Sequence, residues 1–560
     1  MIYKYIFDVL EQFQILNARY LKYIKLTMPY LNFVNFTTVF FLKCKGTIFF
    51  KNFRSFKKTQ SQQQLTPPTC VNIFMRRKFI TNLLLFLGLN LLIKPFWIFG
   101  IEISVQNTVG ESYGIYFALF KFSLMFNMLL DFGITSLNNR NVASSSNFLH
   151  ENFSRIFALK LILGLFYLIC VLVAGGIIGY TTAHFELLFF LIINQFLAGF
   201  ILFLRSNVSG LLLFKTDSFL SVIDRLIMIV CCSILLWGGV TKTPFQIEWF
   251  VYMQTFAYLL TIFIALPIVL SHTRLKSPFV DYTCFKNILK QSLPFALLAL
   301  FTGLHNNVDA VFLERLLPAG AGTNQAGIYA SAFRLLDAAM IIAYLFSVLL
   351  LPLFSSMIAK KEDITALLKM AFSLIFIYGI TVAVTSFFYS LPLINLRYTN
   401  HIEQSASVFA VLMLSIAPLS ATYIFGSLLT AKGELKKLIL IALIAILINT
   451  GLNLLLIFKY QALGSAVASI CTQLFIITAE IVLTVRLFKI KVPKTYFFKL
   501  TGFAVLAVFA GRISLELPFA WYKQCGCMLL FLGLASLVFG WEQLKFLVLK
   551  MKENRNSENK

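Results

Sequence analysis

An ionisable side chain within a stretch of apolar residues is costly to bury, and it marks a functional site when it recurs at related positions. Lys121 lies eight residues into the apolar run that opens at Tyr113, and Arg334 lies eight residues into the run that opens at Ala326. If both runs are helices, each charge sits about 12 Å below one boundary. That is too deep for easy snorkelling to the surface. Two cations converging at mid-depth suit a phosphate or pyrophosphate group. The structural alternative is charge pairing, because Asp337 follows Arg334 by three residues and shares its helix face.

Other polar groups extend the set. Lys94 precedes Pro95, where a kink is expected, and is placed near the outer end of its run. Arg225 is a further candidate for the substrate, with a structural or interfacial pair with Asp224 as the alternative. Asn306, Asn307 and Asp309 are placed near the outer end of another run. They suit sugar hydroxyls, a coupling ion or hydrogen bonds between helices. His305 reads as their polar neighbour, and Asp131 and Glu480 as interfacial groups. The nine cysteines form no framework, and the Cys525-x-Cys527 pair is a weak metal signal, so they read as small packing residues. No cofactor is implied.

The elements that must position these residues follow from composition. Hydrophobic residues make up 59% of the 560 and charged residues 13%, with mean hydropathy +0.83. A soluble domain carries about 25% charged residues. The apolar runs are about twenty residues long, enough to cross a bilayer as helices, and short alternating barrel strands are lacking. The reading is an all-α integral membrane protein. Its helices fall near 79–100, 113–136, 156–178, 185–205, 218–238, 248–270, 290–312, 326–356, 366–390, 406–430, 438–458, 463–485, 499–517 and 525–541.

The net charge of +25 does not point to nucleic acid, since the basic residues sit between apolar runs. Counted in alternate loops, Lys and Arg divide 28 to 6, which sets both termini in the cytoplasm of a cell-membrane protein. Residues 1–74 differ from the rest. They lack helical periodicity, include the polar stretch KKTQSQQQLT, and precede Met75-Arg76-Arg77-Lys78, a usual start for a membrane protein. They read as an extension that is mis-called, disordered or peripheral to the membrane. No cleavable signal peptide is visible.

The chain also repeats itself. Gly114 to Lys121 reads GIYFALFK and Gly327 to Arg334 reads GIYASAFR, at an offset of 213 residues. Gly210-Leu211-Leu212-Leu213 and Gly426-Ser427-Leu428-Leu429 repeat at 216. The unit is six helices, so both halves start on the same side and form a parallel repeat with a site between them. The domains expected are residues 75–275 and 276–490 as six-helix lobes, 491–545 as two added helices and 546–560 as a polar tail.

The GIY segment, with Asn306-Asn307-Val308-Asp309-Ala310-Val311-Phe312-Leu313 and then Gly327-Ile328-Tyr329-Ala330-Ser331-Ala332, resembles the polysaccharide-synthesis flippases. These belong to the multidrug/oligosaccharidyl-lipid/polysaccharide exporter superfamily. The resemblance covers roughly Met75 to Trp541 and excludes residues 1–74. It implies transport of a lipid-linked oligosaccharide, on polyprenyl phosphate or pyrophosphate, from the cytoplasmic to the outer leaflet, among membrane lipids and other polysaccharide-assembly proteins. A lipid-linked peptidoglycan precursor flippase and a cation-coupled drug antiporter are the alternatives. An enzyme is not expected: the outer loops are short, the first contributes only Glu102 and Glu111 with no supporting His, and no nucleotide-phosphate loop is present.

Overall fold

A computed structural model describes most of residues 85–539, with short gaps that include 136–137, 140–141, 143–145, 274–281 and 491–492. Residues 1–84 and 540–560 lie outside the described residues, and with them the expected N-terminal extension and the polar tail. Contacts divide the chain into units 1–78 and 79–560, and everything below concerns the second.

Every regular element among the described residues is helical. Twelve helices are long and apolar enough to cross a membrane. Two more spans add to that set. The 54-residue helix Leu435–Phe488 has one non-helical residue, Gln461, with φ 51°. Ser465 donates to Asn453 at 2.7 Å. In a straight helix those residues would be about 18 Å apart, so the segment is a hairpin of two helices. The other is Ser112–Met125, which continues after a break as Met128–Asp131 and is too short in either piece to register alone. Among the described residues the bundle therefore has fourteen spans, as the apolar runs imply.

In chain order these are α1 (Gly88–Val109), α2 (Ser112–Met125 with Met128–Asp131), α3 (Ser146–Ile178), α4 (Thr182–Gly210), α5 (Phe214–Trp237), α6 (Ile247–Leu270) and α7 (Tyr282–Leu316). The rest are α8 (Ala321–Ala359), α9 (Thr365–Phe388), α10 (Ile402–Lys432), α11 (435–460), α12 (462–488), α13 (Lys494–Ser514) and α14 (Trp521–Phe539). Large apolar side chains such as Phe263, Leu455 and Val538 project outward, as a bilayer requires.

The two six-helix repeats meet where α2 packs on α7 and α8. A Cβ on Gly114 would overlap the Thr323 carbonyl, and one on Gly327 would lie 3.7 Å from the Gly114 Cα. Gly114 and Gly327 are the opening residues of the repeated octapeptides. Two residues related by a rotation can touch only beside its axis, so the crossing of α2 and α8 marks the axis between the repeats. Helices α13 and α14 add to the second repeat by packing on α9, with Met528 and Leu532 buried beside Val384.

Several boundaries differ from the sequence reading. Helix α1 runs on to Val109 through a π-helical turn at Trp97–Glu102. Glu102 is thus inside the bundle and not in a loop, and Lys94 is fifteen residues from the end of α1. That is about 22 Å, beyond the reach of a snorkelling lysine. Helix α7 continues to Leu316, which draws Asn306, Asn307 and Asp309 toward mid-depth and away from the helix end. Helix α3 begins at Ser146, so Lys160 is a buried helical residue, bonded to Asp131 and to the Leu130 carbonyl.

Candidate functional site

The π-helical turn decides where Glu102 points. An inserted residue shifts the register of the following face, and here Glu102 is brought to the repeat interface, 4% exposed. Its Oε1 pairs with Arg334 Nη2 at 2.8 Å. Arg334 Nε also donates to the Tyr113 hydroxyl at 3.2 Å. The expected partner Asp337 stands 3.6 Å away on the other side of the guanidinium. Arg334 thus joins α1, α2 and α8 through one planar group, the use for which a guanidinium fork is suited.

Lys121 is different. It is buried at 6% exposure, and no carboxylate lies in ion-pair range of its ammonium among the described residues. Its Nζ sits 3.6 Å from the Phe333 ring centroid and 5.5 Å from that of Phe117. Arg334 reciprocates, its guanidinium 5.3 Å from Phe117 and 5.7 Å from Phe120. Phe333 beside Lys121 and Phe120 beside Arg334 occupy corresponding positions in the two repeats, and Phe117 lies near both cations. With Glu102 counted, Lys121, Arg334, Glu102 and Asp337 carry no net formal charge. The sequence reading placed one acid, Asp337, beside the two cations, and the structure adds Glu102 as a second. Within this cluster, among the described residues, Lys121 is the cation without an ion pair.

Asp309 sits within the second repeat. It is 2% exposed and accepts from the Tyr329 hydroxyl at 2.8 Å, Asn453 Nδ2 at 2.8 Å and Ser469 Oγ at 2.9 Å. Asn453 also reaches the Asn449 carbonyl at 2.9 Å. Asn306 accepts from Gln473 at 3.3 Å, whereas Asn307 donates to the Gly303 carbonyl one turn back. Arg225 stays close to home, 3.7 Å from Asp224, with its guanidinium 5.5 Å from the Trp97 ring on α1. Lys94 makes no ion pair among the described residues. The structure therefore gathers Lys121, Arg334 and Asp337 into one cluster, Asn306 and Asp309 into a second, and leaves Lys94 and Arg225 in the first repeat.

Glu102, Tyr113, Asn449, Asn453 and Ser469 escaped the sequence reading. Asn449 and Asn453 carried a signal, being four apart in an apolar helix and so on one face. Glu102 carried none, because a lone acid after an apolar run reads as its end.

Polar bridges between the repeats, among the described residues, lie in the half of the bundle that holds Gly110. Gln106 donates to the Gly327 carbonyl at 2.9 Å, Asn107 to the Arg397 carbonyl at 2.7 Å, and Arg397 to the Phe99 carbonyl. A cavity of about 270 Å³ opens beside them, lined by Gln106, Asn107, Glu111, Asn324, Tyr398 and His401. Burial pushes the Tyr398 phenol above its ordinary value, so it remains a donor, bonded to the Ser331 carbonyl at 3.1 Å.

Two parallel six-helix repeats with two added helices, and charges buried where the repeats meet, share their architecture with transporters that rock one repeat against the other. A family described as polysaccharide biosynthesis protein matches residues 99–358. The structure is similar to Lipid II flippase MurJ in an inward closed conformation, at 15% identity and TM-score 0.59, covering 85% of this chain and 100% of that one. It is also similar to a multidrug resistance MATE family transporter of the MOP superfamily. The inward-facing form gives 15% identity, TM-score 0.51 and 73% and 95% coverage. The outward-facing form gives 14% identity, TM-score 0.51 and 73% and 94% coverage. No match is found among curated proteins. The family match covers just under half of the chain, and the structural matches show a shared fold.

Proposed function

We propose that the protein is a flippase that carries a lipid-linked oligosaccharide, on a polyprenyl phosphate or pyrophosphate, from the cytoplasmic to the outer leaflet of the cell membrane. The observation that carries this reading is Lys121: an ammonium at the repeat interface, held by aromatic rings with no carboxylate against it. An intramembrane cation left without an anion is suited to receive one from a ligand. A cationic drug would meet repulsion there. The family match within residues 99–358 points to polysaccharide as the cargo class.

Arg334 has a second part in the cycle. A phosphate entering beside Lys121 competes with Glu102 and Asp337 for the guanidinium. Displacing Glu102 releases α1 from α8 and lets the repeats separate in the half that holds Gly110. By the charge asymmetry of the loops, that half faces outward, both termini are cytoplasmic, and residues 75–275 and 276–490 move as lobes. Asp309, with its amide and hydroxyl partners from α8, α11 and α12, suits a coupling ion.

The test is genetic and chemical. Cells depleted of the protein should accumulate a lipid-linked oligosaccharide in the cytoplasmic leaflet, and purified protein should flip that lipid in vesicles. Accumulation of a lipid-linked peptidoglycan precursor instead would assign the cargo carried by the structurally similar flippase. Normal lipid pools with raised drug sensitivity would point to an antiporter.

A further inference from the structure

Two contacts reach from one repeat to the other at corresponding places. In the second repeat, Arg397 from the segment between α9 and α10 donates to the Phe99 carbonyl of α1. Subtracting the repeat offset of 213 residues from Arg397 gives His184, in the first turn of α4. Adding it to Phe99 gives Phe312 of α7, two residues before Glu314. His184 and Glu314 also meet, with His184 Nε2 3.8 Å from Glu314 Oε1. The contact lies where α3 and α7 end, in the half of the bundle that holds Gly110. The first repeat thus lays a side chain on α7 where the second lays one on α1.

The two contacts differ in charge. Arg397 is charged at every pH, whereas a histidine changes charge between about pH 5 and 8. Glu314 is buried and under-satisfied. Arg315 Nε lies 2.8 Å from its Oε2, but off line, so Glu314 Oε2 and Arg315 Nε and Nη2 are left without hydrogen bonds. The Arg315 guanidinium rests instead on Tyr180 of the α3–α4 turn, 3.9 Å from the ring centroid. His184 Nδ1 is hydrogen-bonded to Thr181 Oγ1, which leaves Nε2 to face the carboxylate. A protonated ring offers Glu314 an N–H and a charge, and a neutral ring protonated at Nδ1 offers it a lone pair. The charged and titratable groups around the ring are Glu314 and Arg315 from α7 and Tyr180 from the turn. Glu186 is two residues on in α4 and points elsewhere. Glu248 opens α6, which packs along α4, and is exposed.

We propose that these contacts are a matched pair of latches on the outer closure: Arg397 on α1 is permanent, and His184 on Glu314 engages when the outer medium protonates the histidine. Acid outside then favours the state in which the repeats are closed in the Gly110 half. That closure loosens as pH rises through the histidine range. Thr181, Thr182 and Ala183 are exposed, so His184 exchanges protons with the medium at that end, which the loop charges place outside. The inference rests on the rocking of the two repeats and not on which cargo is carried.

The test uses the full chain in detergent, with its native cysteines replaced and spin labels on Thr182→Cys and Ala321→Cys. These are exposed positions at the starts of α4 and α8, one in each repeat. Their separation is read by electron paramagnetic resonance from about pH 8 to about pH 5. The short-distance population should rise about threefold as pH falls, the scale of one partly exposed ion pair. His184→Gln should stay folded and monodisperse and lose the pH dependence, and Glu314→Gln should lose it too. His184→Arg should hold the short distance at both ends of the range, as Arg397 does in the other repeat. A population that does not change with pH while His184 is present would overturn the proposal. So would a pH dependence that survives in His184→Gln, or a long distance at every pH in His184→Arg. No cargo enters the measurement, so its failure leaves the flippase reading to its own test.

Discussion

Lys121 and Arg334 occupy corresponding places in the two repeats but are not equivalent. Arg334 is held by Glu102, Tyr113 and Asp337, and Lys121 by rings alone. Removing one partner of a buried ion pair strands the other, at a cost of about 3 kcal/mol or more. Glu102→Gln and Arg334→Gln should therefore each lower the thermal midpoint in detergent. The double variant should lose less than the sum, because the second change removes a charge already stranded. Strict additivity would show that the pair is not coupled. Arg334→Lys keeps the charge but not the fork, and should retain only part of the transport rate. Lys121 makes the opposite prediction. Lys121→Arg should keep much of the flipping activity and Lys121→Ala should lose most of it, each at near-normal membrane level. Should Lys121→Ala reduce protein level and transport in proportion, the residue serves packing and the cargo reading of the site fails.

At the scale of the element, the hairpin between α11 and α12 turns on one residue. Gln461 has φ 51° and ψ −131°, close to the first central position of a type II′ turn, where glycine is strongly preferred. Gln461→Gly should stabilise the protein by about 1 kcal/mol, and Gln461→Val, whose branched Cβ tolerates this conformation worst, should destabilise it. Paired thermal melts would show it, and equal midpoints would mean that the turn relaxes without strain. This turn also shows what a sequence can and cannot carry. The break between 458 and 463 was legible, because Lys459 and Gln461 interrupt the apolar run. That the chain passes through it without a loop was not. Charge misled in the same way elsewhere. Glu102, Glu314 and Arg315 read as ends of α1 and α7, since a charge inside a helix is expected only with a partner. The partner of Glu102 is Arg334, over two hundred residues away. Spacing along one helix reveals a neighbour such as Asp337, but contacts between helices have no local signature. The glycine crossing of α2 and α8 was legible only as a repeat, with nothing to say that the repeated residues touch.

For the whole molecule, the repeat and the loop charges make one joint prediction. Six helices per repeat return the chain to its starting side, so corresponding loops of the two halves face the same compartment. With the buried Lys160 set aside, the basic residues in and near the loops divide 27 against 6, and positively charged loops are retained in the cytoplasm. The loop after α8 holds Lys360 and Lys361, and the loop before α10 holds Asn400 and His401. The two should lie on opposite sides of the membrane. Lys360 and Asn400 are both exposed, and neither anchors the other repeat, unlike Arg397 with its bond to Phe99. They are therefore the better positions for probes. In a background with all nine native cysteines replaced, Asn400→Cys in intact cells should react with a membrane-impermeant maleimide. Lys360→Cys should react only after the membrane is opened. The reverse pattern would turn the bundle over, and with it the assignment of the Gly110 half as the outer one. Reaction of both, or of neither, in intact cells would break the alternation itself and with it the count of fourteen spans. Because Glu102, Arg334, Gln106 and Gly327 lie together in the Gly110 half, the same labelling fixes which leaflet their bridges close. A cargo that enters beside Lys121 from the cytoplasm must then break the Glu102–Arg334 pair before it can leave, so transport in the Glu102→Gln variant should be leaky and less dependent on cargo charge.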